Sequence, residues 1–486
     1  MNHRAWLLLA CCLLIAAVSC REKPASLDTP LPSDELGQFE QPLRYAAWQE
    51  EGSWPQFCHD PLHSGRSDID LGTPEMELAW RFQPTTRAWA YEPGFAVWSS
   101  PAAGTVHGRP LIFAGSQDRN VYAIDARTGE KAWEFSPGLP VFASPALGLV
   151  AGRPMVFVAS MNRSIYGLDA AGGSQLWQRE TAEWSFTAAK SVMSSPTLVK
   201  AESGEVLLLV GVWNADRSAA RNVQTGECLA LVAETGSVKW RRRLSSTPVS
   251  SPAFARLHGR EAVFVTCQDG TVHALKLQDG MPLWTAVLNE ETRSSPSIGQ
   301  VGGAAQIFVG SRFNSVFGVN TETGDRKWRA EAGYWVDSTP AWFSATEGGA
   351  KTTTVAAGSY DRNVYAWTAG TAEPRWRAPT GNYAYSSPAV VRIGQKPAIL
   401  MMSWDEHLYL FEGATGRVLW RYKGGPLLWS HAYTGDSLWA SPAVFRVDGR
   451  PTVLFPAFDG VLYAFRPIHH PTASVPAGLR TLPARD

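Results

Sequence analysis

Apolar and polar positions alternate with a period of two in short runs through most of the chain, and turn residues break the runs. Within one unit LIFAGS (111–116), VYAID (121–125) and KAWEF (131–135) are rich in aromatic and β-branched residues. HGRP (107–110), SQDRN (116–120) and ARTG (126–129) separate them. Such alternation, bounded by Gly, Pro, Asn and Asp, predicts short antiparallel strands joined by tight turns. The phrase VYAIDARTGEKAW (121–133) returns as IYGLDAAGGSQLW (165–177), VHALKLQDGMPLW (272–284), VFGVNTETGDRKW (316–328) and LYLFEGATGRVLW (408–420).

A second marker, SSP, ASP or STP, precedes each tryptophan. Its prolines are Pro101, Pro145, Pro196, Pro252, Pro296, Pro340, Pro388 and Pro442. The closing tryptophans are Trp133, Trp177, Trp240, Trp284, Trp328, Trp376 and Trp420. Five of the seven spacings are 32 residues; the third unit has 44 and the sixth 36. Counting the strand after the proline, each unit has four strands. One such sheet cannot bury both faces alone, and units of this length pack radially as propeller blades. The unit opened by Pro442 has a third strand, LYAF (462–465), but no fourth. ELAWRF (77–82), centred on Trp80, has the form of a fourth strand without the first three. It is expected to complete the last blade, closing a ring of eight and removing two free sheet edges. The expected architecture is therefore all-β, an eight-bladed propeller over residues 54–468.

Composition narrows the class. The 486 residues include 44 basic and 44 acidic side chains, and a net charge of zero argues against an electrostatic nucleic-acid binder. The N-terminus reads MNHRAW, then an apolar run ending at Val18, then Ser19 and Cys20. That is a secretory signal, too short for a comfortable membrane span. Ala17-Val18-Ser19-Cys20 resembles a bacterial lipobox, with cleavage before Cys20 and acylation of that cysteine. Ordinary cleavage after Ser19, giving a soluble secreted protein, is the alternative. Arg21 in place of Asp favours outer-membrane sorting by the rule such lipoproteins follow. Residues 1–19 are thus expected to be a signal, 20–53 a tether and 469–486 a loose tail. The expected location is the bacterial envelope, as an outer-membrane lipoprotein or a periplasmic or secreted protein. Without the signal only Cys20, Cys58, Cys228 and Cys267 remain, which is no disulfide framework.

The turn-and-tryptophan phrase carries a family resemblance. Ala123, Asp125, Thr128, Gly129 and Trp133 fit the A-x-D-x-x-T-G-x-x-x-W docking motif of pyrroloquinoline quinone (PQQ) propellers. WPQFCHDPLHSGRS (54–67) resembles the segment that introduces many of them. The family mixes quinoprotein dehydrogenases with non-enzymatic members such as the BamB-like lipoprotein branch, so the resemblance implies a fold more than a function. Physically, Gly129 permits positive φ and Asp125 bonds back into the turn. The recurring Trp offers a flat surface to the next blade, and its indole N–H finds a backbone acceptor there. Trp80, Trp133, Trp177, Trp240, Trp284, Trp328, Trp376 and Trp420 are expected to dock in this way. Two units depart: Val232 replaces the turn Asp in the third, and Gly370 stands six residues before Trp376 instead of four in the sixth.

The strand order puts the turns between second and third strands on one face, together with the loops that join blades. Trp98, Arg119, Arg163, Trp184, Trp213, Arg217, Arg312, Trp335, Tyr360, Arg362, Tyr383, Tyr385, Trp404, Trp429, Tyr433 and Trp439 fall in or beside them. Loops carry function more often than strands do. An aromatic rim with Arg is typical of a protein-binding surface. Exposed rings also stack on sugars, and rings also plug a propeller's centre with no ligand at all. The expected partner is an envelope protein, with glycan as the alternative; the membrane is met only through the lipid, and the propeller is monomeric.

For the enzymatic branch, the resemblance implies PQQ, Ca²⁺, a carboxylate base, a stacking Trp and an adjacent pair of disulfide-linked cysteines. The mature sequence has no adjacent cysteine pair and no C-x-x-C-H haem site. Asp118, Asp269, Asp361, Asp405 and Asp459 recur in the upper turns, and acids are Ca²⁺ donors. The same turns also read as ordinary Asx turns. His59, Asp60 and His63 lie in the lead-in and read as packed or solvated rather than as a metal site. No G-x-S-x-G, H-E-x-x-H or phosphate loop occurs. The expectation is a non-catalytic binding protein without catalytic residues, metal or cofactor, with PQQ and calcium as the enzymatic alternative.

Overall fold

Short alternating runs become thirty-three strands in the computed structural model, which describes residues 47–48, 50–84, 99–181, 194–216, 223–347, 350–425 and 440–468. No helix occurs among them. Seven blades are continuous in sequence, over 102–135, 146–180, 197–244, 253–287, 297–331, 341–379 and 389–423. In each, the four strands run from inner to outer in chain order. The eighth combines Ala443–Val447, Arg450–Pro456 and Leu462–Pro467 with an outer strand from the N-terminal side, Met76–Phe82. Trp80 stands opposite Ala464 in that antiparallel pair. The ring closes as the orphan strand predicts.

Burial follows strand position. The third strand of blade one is buried from Val121 to Ile124, on both faces, because neighbouring blades cover both. Its outer strand alternates, with Trp133 buried and Lys131 and Glu134 exposed. The docking tryptophans pack against second-strand phenylalanines: Phe113 lies 5.7 Å from Trp133 and Phe157 lies 5.8 Å from Trp177.

Six indoles dock on the next blade. Trp80 donates to the Ala126 carbonyl at 2.9 Å, Trp133 to Ala170 at 3.0 Å and Trp177 to Ala233 at 2.9 Å. Trp240 donates to Leu277 at 2.7 Å, Trp284 to Thr321 at 2.9 Å and Trp376 to Gly413 at 2.9 Å. Each ring lies flat on the turn glycine of that blade. A Cβ on Gly129 would fall 2.7 Å from Trp80, and one on Gly280 would fall 2.6 Å from Trp240. The glycine thus serves a close approach as well as a positive φ.

Trp328 and Trp420 correct the expectation of eight equivalent docks. Trp328 donates to the Gln306 side chain of its own blade at 2.8 Å. Its neighbour is the sixth unit, whose shifted glycine, Gly370, has open space where an indole would sit. Trp420 faces the last blade, where no turn joins third and fourth strands, because they come from opposite ends of the chain. It packs edge-on against Phe465 at 5.3 Å instead. The Val232 departure is harmless, since Gly236 still donates to the Val232 carbonyl at 2.8 Å.

The proline marker also acquires a reason. The residue before each proline gives its N–H to the hydroxyl of the equivalent residue in the next blade. Ser100 bonds Ser144 at 3.1 Å, Ser144 bonds Ser195 at 2.9 Å, and Ser195 bonds Ser251 at 2.9 Å. Ser251 bonds Ser295 at 2.9 Å, Ser295 bonds Thr339 at 3.3 Å, and Thr339 bonds Ser387 at 3.1 Å. Ser387 bonds Ser441 at 2.9 Å, and Ser441 returns to Ser100 at 2.9 Å. A closed belt of eight hydrogen bonds therefore circles the axis, each from a backbone N–H to the short hydroxyl side chain of Ser or Thr.

The lead-in runs inside this belt. Carbonyls of Gly52, Trp54, Pro55, Pro61, Leu62 and Gly65 accept the N–H groups of Arg446, Ala103, Leu147, Phe254, Ile298 and Val390, all on inner strands. Arg66–Asp70 then adds a parallel strand to the inner edge of blade seven. Inner-edge donors that would otherwise face the axis unpaired are satisfied by this segment. Ala47 is buried, and its carbonyl takes the Leu149 N–H at 2.9 Å. His63 is fully buried between the Pro296 carbonyl and the Thr197 hydroxyl, each at 3.2 Å. Asp60 takes the N–H of Ser64 at 3.1 Å and its hydroxyl at 2.5 Å. The His63 contacts tie the lead-in to the inner strands.

Candidate binding face

The turns between second and third strands repeat one design. A carboxylate accepts the N–H two residues on, as from Asn120 to Asp118 at 3.1 Å and from Asn363 to Asp361 at 3.0 Å. A third-strand tyrosine then donates to its second oxygen. Tyr122 reaches Asp118 at 2.6 Å, Tyr463 reaches Asp459 at 2.5 Å, and Tyr365 and Tyr409 bond Asp361 and Asp405 alike. A loop amide from the preceding blade adds to this, from Gly381 to Asp405 at 2.7 Å and from Gly425 to Asp459 at 2.6 Å. Burial and the adjacent carboxylates push the phenols of Tyr365 and Tyr409 up to about 12. In these four blades the acid ties its turn to the third strand, and in blades seven and eight it also holds the loop that precedes it.

The fourth turn position is left-handed: Arg119, Arg163 and Arg362 have φ of 76°, 70° and 72°. Their carbonyls anchor the outer-strand ends, taking a bond from the Ser136 hydroxyl at 3.2 Å and from the Thr181 and Thr380 N–H groups at 2.9 and 2.8 Å. Arg119 and Arg163 belong to blades one and two, and Arg362 to blade six, next to the blade of Arg312.

Arg312 occupies the second turn position instead, and this position builds the face. Its N–H donates to the preceding loop: Arg312 to the Glu291 carbonyl at 2.8 Å, Tyr360 to Trp335 at 2.9 Å, Trp404 to Tyr383 at 3.0 Å. Repetition from blade to blade lays these side chains in a row. Tyr334 stacks on Trp335 at 5.0 Å, Trp335 meets Tyr360 at 5.8 Å, and Tyr360 meets Tyr383 at 5.2 Å. Tyr383 meets Trp404 at 5.5 Å, and Trp404 meets Tyr385 at 5.8 Å and Phe458 at 6.4 Å. Arg312 closes one end, its guanidinium 4.6 Å from the Trp335 ring centre and paired with Asp337 at 2.7 Å. Burial opposes the Arg312 charge, but Asp337 and Glu291 outweigh it and raise its pKa.

Tyr385 is a correction: at 3 % exposure it supports Trp404 and Phe458 from beneath and presents no surface. Trp213 lies within the long second strand of blade three, opposite Gly226. Trp98, Trp184, Arg217, Trp429, Tyr433 and Trp439 lie outside the described residues. The sequence reading missed Phe458, Tyr334 and Phe313, the last two 45 % and 59 % exposed. Aligning the turns SRFN, SYDR, SWDE and AFDG at their second and third positions would have found two of them.

The sequence matches the family of outer membrane protein assembly factor BamB over residues 77–260, 117–306, 268–343 and 312–467. The chain belongs to the BamB family. No curated protein matches its sequence. BamB from Moraxella catarrhalis has a similar fold, with a TM-score of 0.51 at 17% identity over 82% of this chain and 99% of that one. So has quinohemoprotein alcohol dehydrogenase from Comamonas testosteroni, at 0.63 and 14% identity over 89% and 82%. A europium-containing methanol dehydrogenase gives 0.63 at 14% over 86% and 98%. These identities speak for a shared fold alone.

The described residues of this BamB-family chain offer PQQ and a metal little to hold. Cys58, Cys228 and Cys267 are separate, buried and free, and burial pushes their thiols far up. The upper-turn carboxylates accept bonds from their own turns, and Asp405 and Asp459 also from the preceding loop. Among the described residues no three His, Cys, Asp or Glu side chains gather as metal ligands.

Proposed function

We propose that this chain is an exported, lipid-anchored and non-catalytic scaffold that docks an envelope protein on its loop face. The observation that carries this reading is the row of contacting rings from Tyr334 to Phe458 across blades five to eight, with Arg312 at its end. Clustered aromatic anchors beside Arg are what a protein interface concentrates. Membership in a family named for outer-membrane protein assembly supports the envelope as the setting, and Cys20 after an apolar signal supports the anchor. A glycan is the alternative occupant of the same rings, of which Tyr334 and Trp335 are stacked at 10°.

Photo-crosslinking from position 334 in intact cells tests the reading. Adducts to one envelope protein that disappear with Trp335→Ala support it. Saturable, calcium-dependent PQQ binding with dye reduction by an alcohol or an aldose sugar would overturn it.

A further inference from the structure

An outer strand of a blade exposes a row of unpaired N–H and C=O groups, and charged side chains are the usual guard against pairing with another chain. In six blades the residue after the outer-strand tryptophan is charged: Arg81, Glu134, Arg241, Arg329, Arg377 or Arg421. Blade two has Gln178 followed by Arg179. Blade four alone, Pro282–Val287 with sequence PLWTAV, carries no charge. Its flanks are apolar and open, with Met281 51 % and Val287 60 % exposed. Trp284 is itself only partly buried, where Trp240 and Trp328 are buried.

The C-terminal end of this strand opens into a recess of about 420 Å³. Asp269, Glu290 and Glu291 line it with Ser246, Gln268 and Asn289, and no basic side chain does. Arg329 pairs with Glu290 at 3.0 Å, and Arg293 and Arg312 pair with Glu291 at 3.3 and 3.7 Å, which leaves Asp269 as the carboxylate to consider. Asp269 takes only the Thr271 N–H, at 3.0 Å, among the described hydrogen bonds, and no described cation pairs with it. We propose that the outer edge of blade four accepts a fifth strand, an extended segment of a partner polypeptide. Continuing the antiparallel order places the N-terminal end of that segment at the recess. The segment therefore carries Lys or Arg there, followed by small or apolar residues, so that main-chain bonds supply affinity and Asp269 supplies orientation.

The test uses the full chain and the peptide acetyl-Lys-Thr-Val-Thr-Val-Thr-Val-amide, read by amide hydrogen exchange. Exchange from Trp284 to Val287 is expected to slow at least tenfold. The same peptide headed by Glu should bind at least tenfold more weakly. Val287→Lys should abolish the slowing while the inner strand, Ala253–Leu257, keeps its own protection and so reports an intact fold. Asp269→Asn, which keeps the turn acceptor, should weaken the Lys-headed peptide alone. Unchanged exchange at millimolar peptide overturns the proposal, as does equal binding of both peptides. A dimer that Val287→Lys dissociates, and that the peptide fails to displace, would assign the edge to a second copy and overturn it as well.

Discussion

Gly280→Ala and Gly259→Ala make a matched pair within blade four. Gly280 has φ of +68° and Gly259 has +74°, so a side chain meets the same left-handed backbone at both. That term costs about 1–2 kcal/mol. The surroundings differ. A Cβ at Gly259 meets nothing within 4 Å, whereas one at Gly280 falls 2.6 Å from the Trp240 ring. Trp240 is held there by its bond to Leu277 at 2.7 Å and is 7 % exposed, so it has little room to retreat. Overpacking a tight site costs about 1–3 kcal/mol. Gly259→Ala should therefore lose about 1–2 kcal/mol and Gly280→Ala about 2–5 kcal/mol. Urea denaturation followed by tryptophan fluorescence reads both, provided the slope m is unchanged. In a Trp240→Ala background the extra loss at Gly280 should vanish, a coupling that marks direct contact. Equal losses at the two glycines would refute the reasoning and reduce the docking glycine to a turn former.

Three further outcomes follow from the geometry. Ser295→Ala removes the acceptor of the buried Ser251 N–H and should cost about 1–3 kcal/mol, while Ser295→Thr should restore it because Thr339 fills the same place in the next blade; thermal melts decide. His63 is held by burial at about 4 against an ordinary 6.5, so the unfolded chain takes the proton first. Stability is then complete above pH 6.5 and falls as pH drops towards 4, by at most about 3 kcal/mol. His273, also lowered by burial, adds in the same direction, so His63→Gln should flatten most of the slope in pH-dependent denaturation, and an unchanged slope would deny the role. Arg312→Lys gives up the two-pronged pairing with Asp337 and the stacking on Trp335, and should weaken partner crosslinking from position 334 while the far-ultraviolet spectrum stays native.

The ring was legible because its devices repeat. Period-two strands, the Trp phrase and the orphan ELAWRF were enough to count blades and to pair Met76–Phe82 with the end of the chain. The shifted Gly370 was visible in the sequence, but its effect falls on Trp328, a blade away, and only coordinates link the two. The serine belt was visible as a marker and opaque as a mechanism, since its bonds join residues about one blade apart in sequence. The lead-in was the least legible part. Its carbonyls bond wherever inner strands face the axis, so no periodicity in its own residues betrays the path. On the face, Arg312 and Arg362 read alike as turn arginines, yet a difference of two turn positions sends one onto Trp335 and leaves the other on the rim.

Because residues 52–71 lie within the belt and Met76–Phe82 pairs with Leu462–Pro467, the first part of the propeller to be made awaits the last. A chain delivered from its N-terminus can stack blades one to seven on the way. It cannot join Ser441 to Ser100, or pair Met76–Phe82 with Leu462–Pro467, until the last blade has arrived. Vectorial synthesis thus leaves the two ends of the arc unpaired until the last blade is made. Arrival of the final strand turns an open arc with two unpaired sheet edges into a closed ring in a single event.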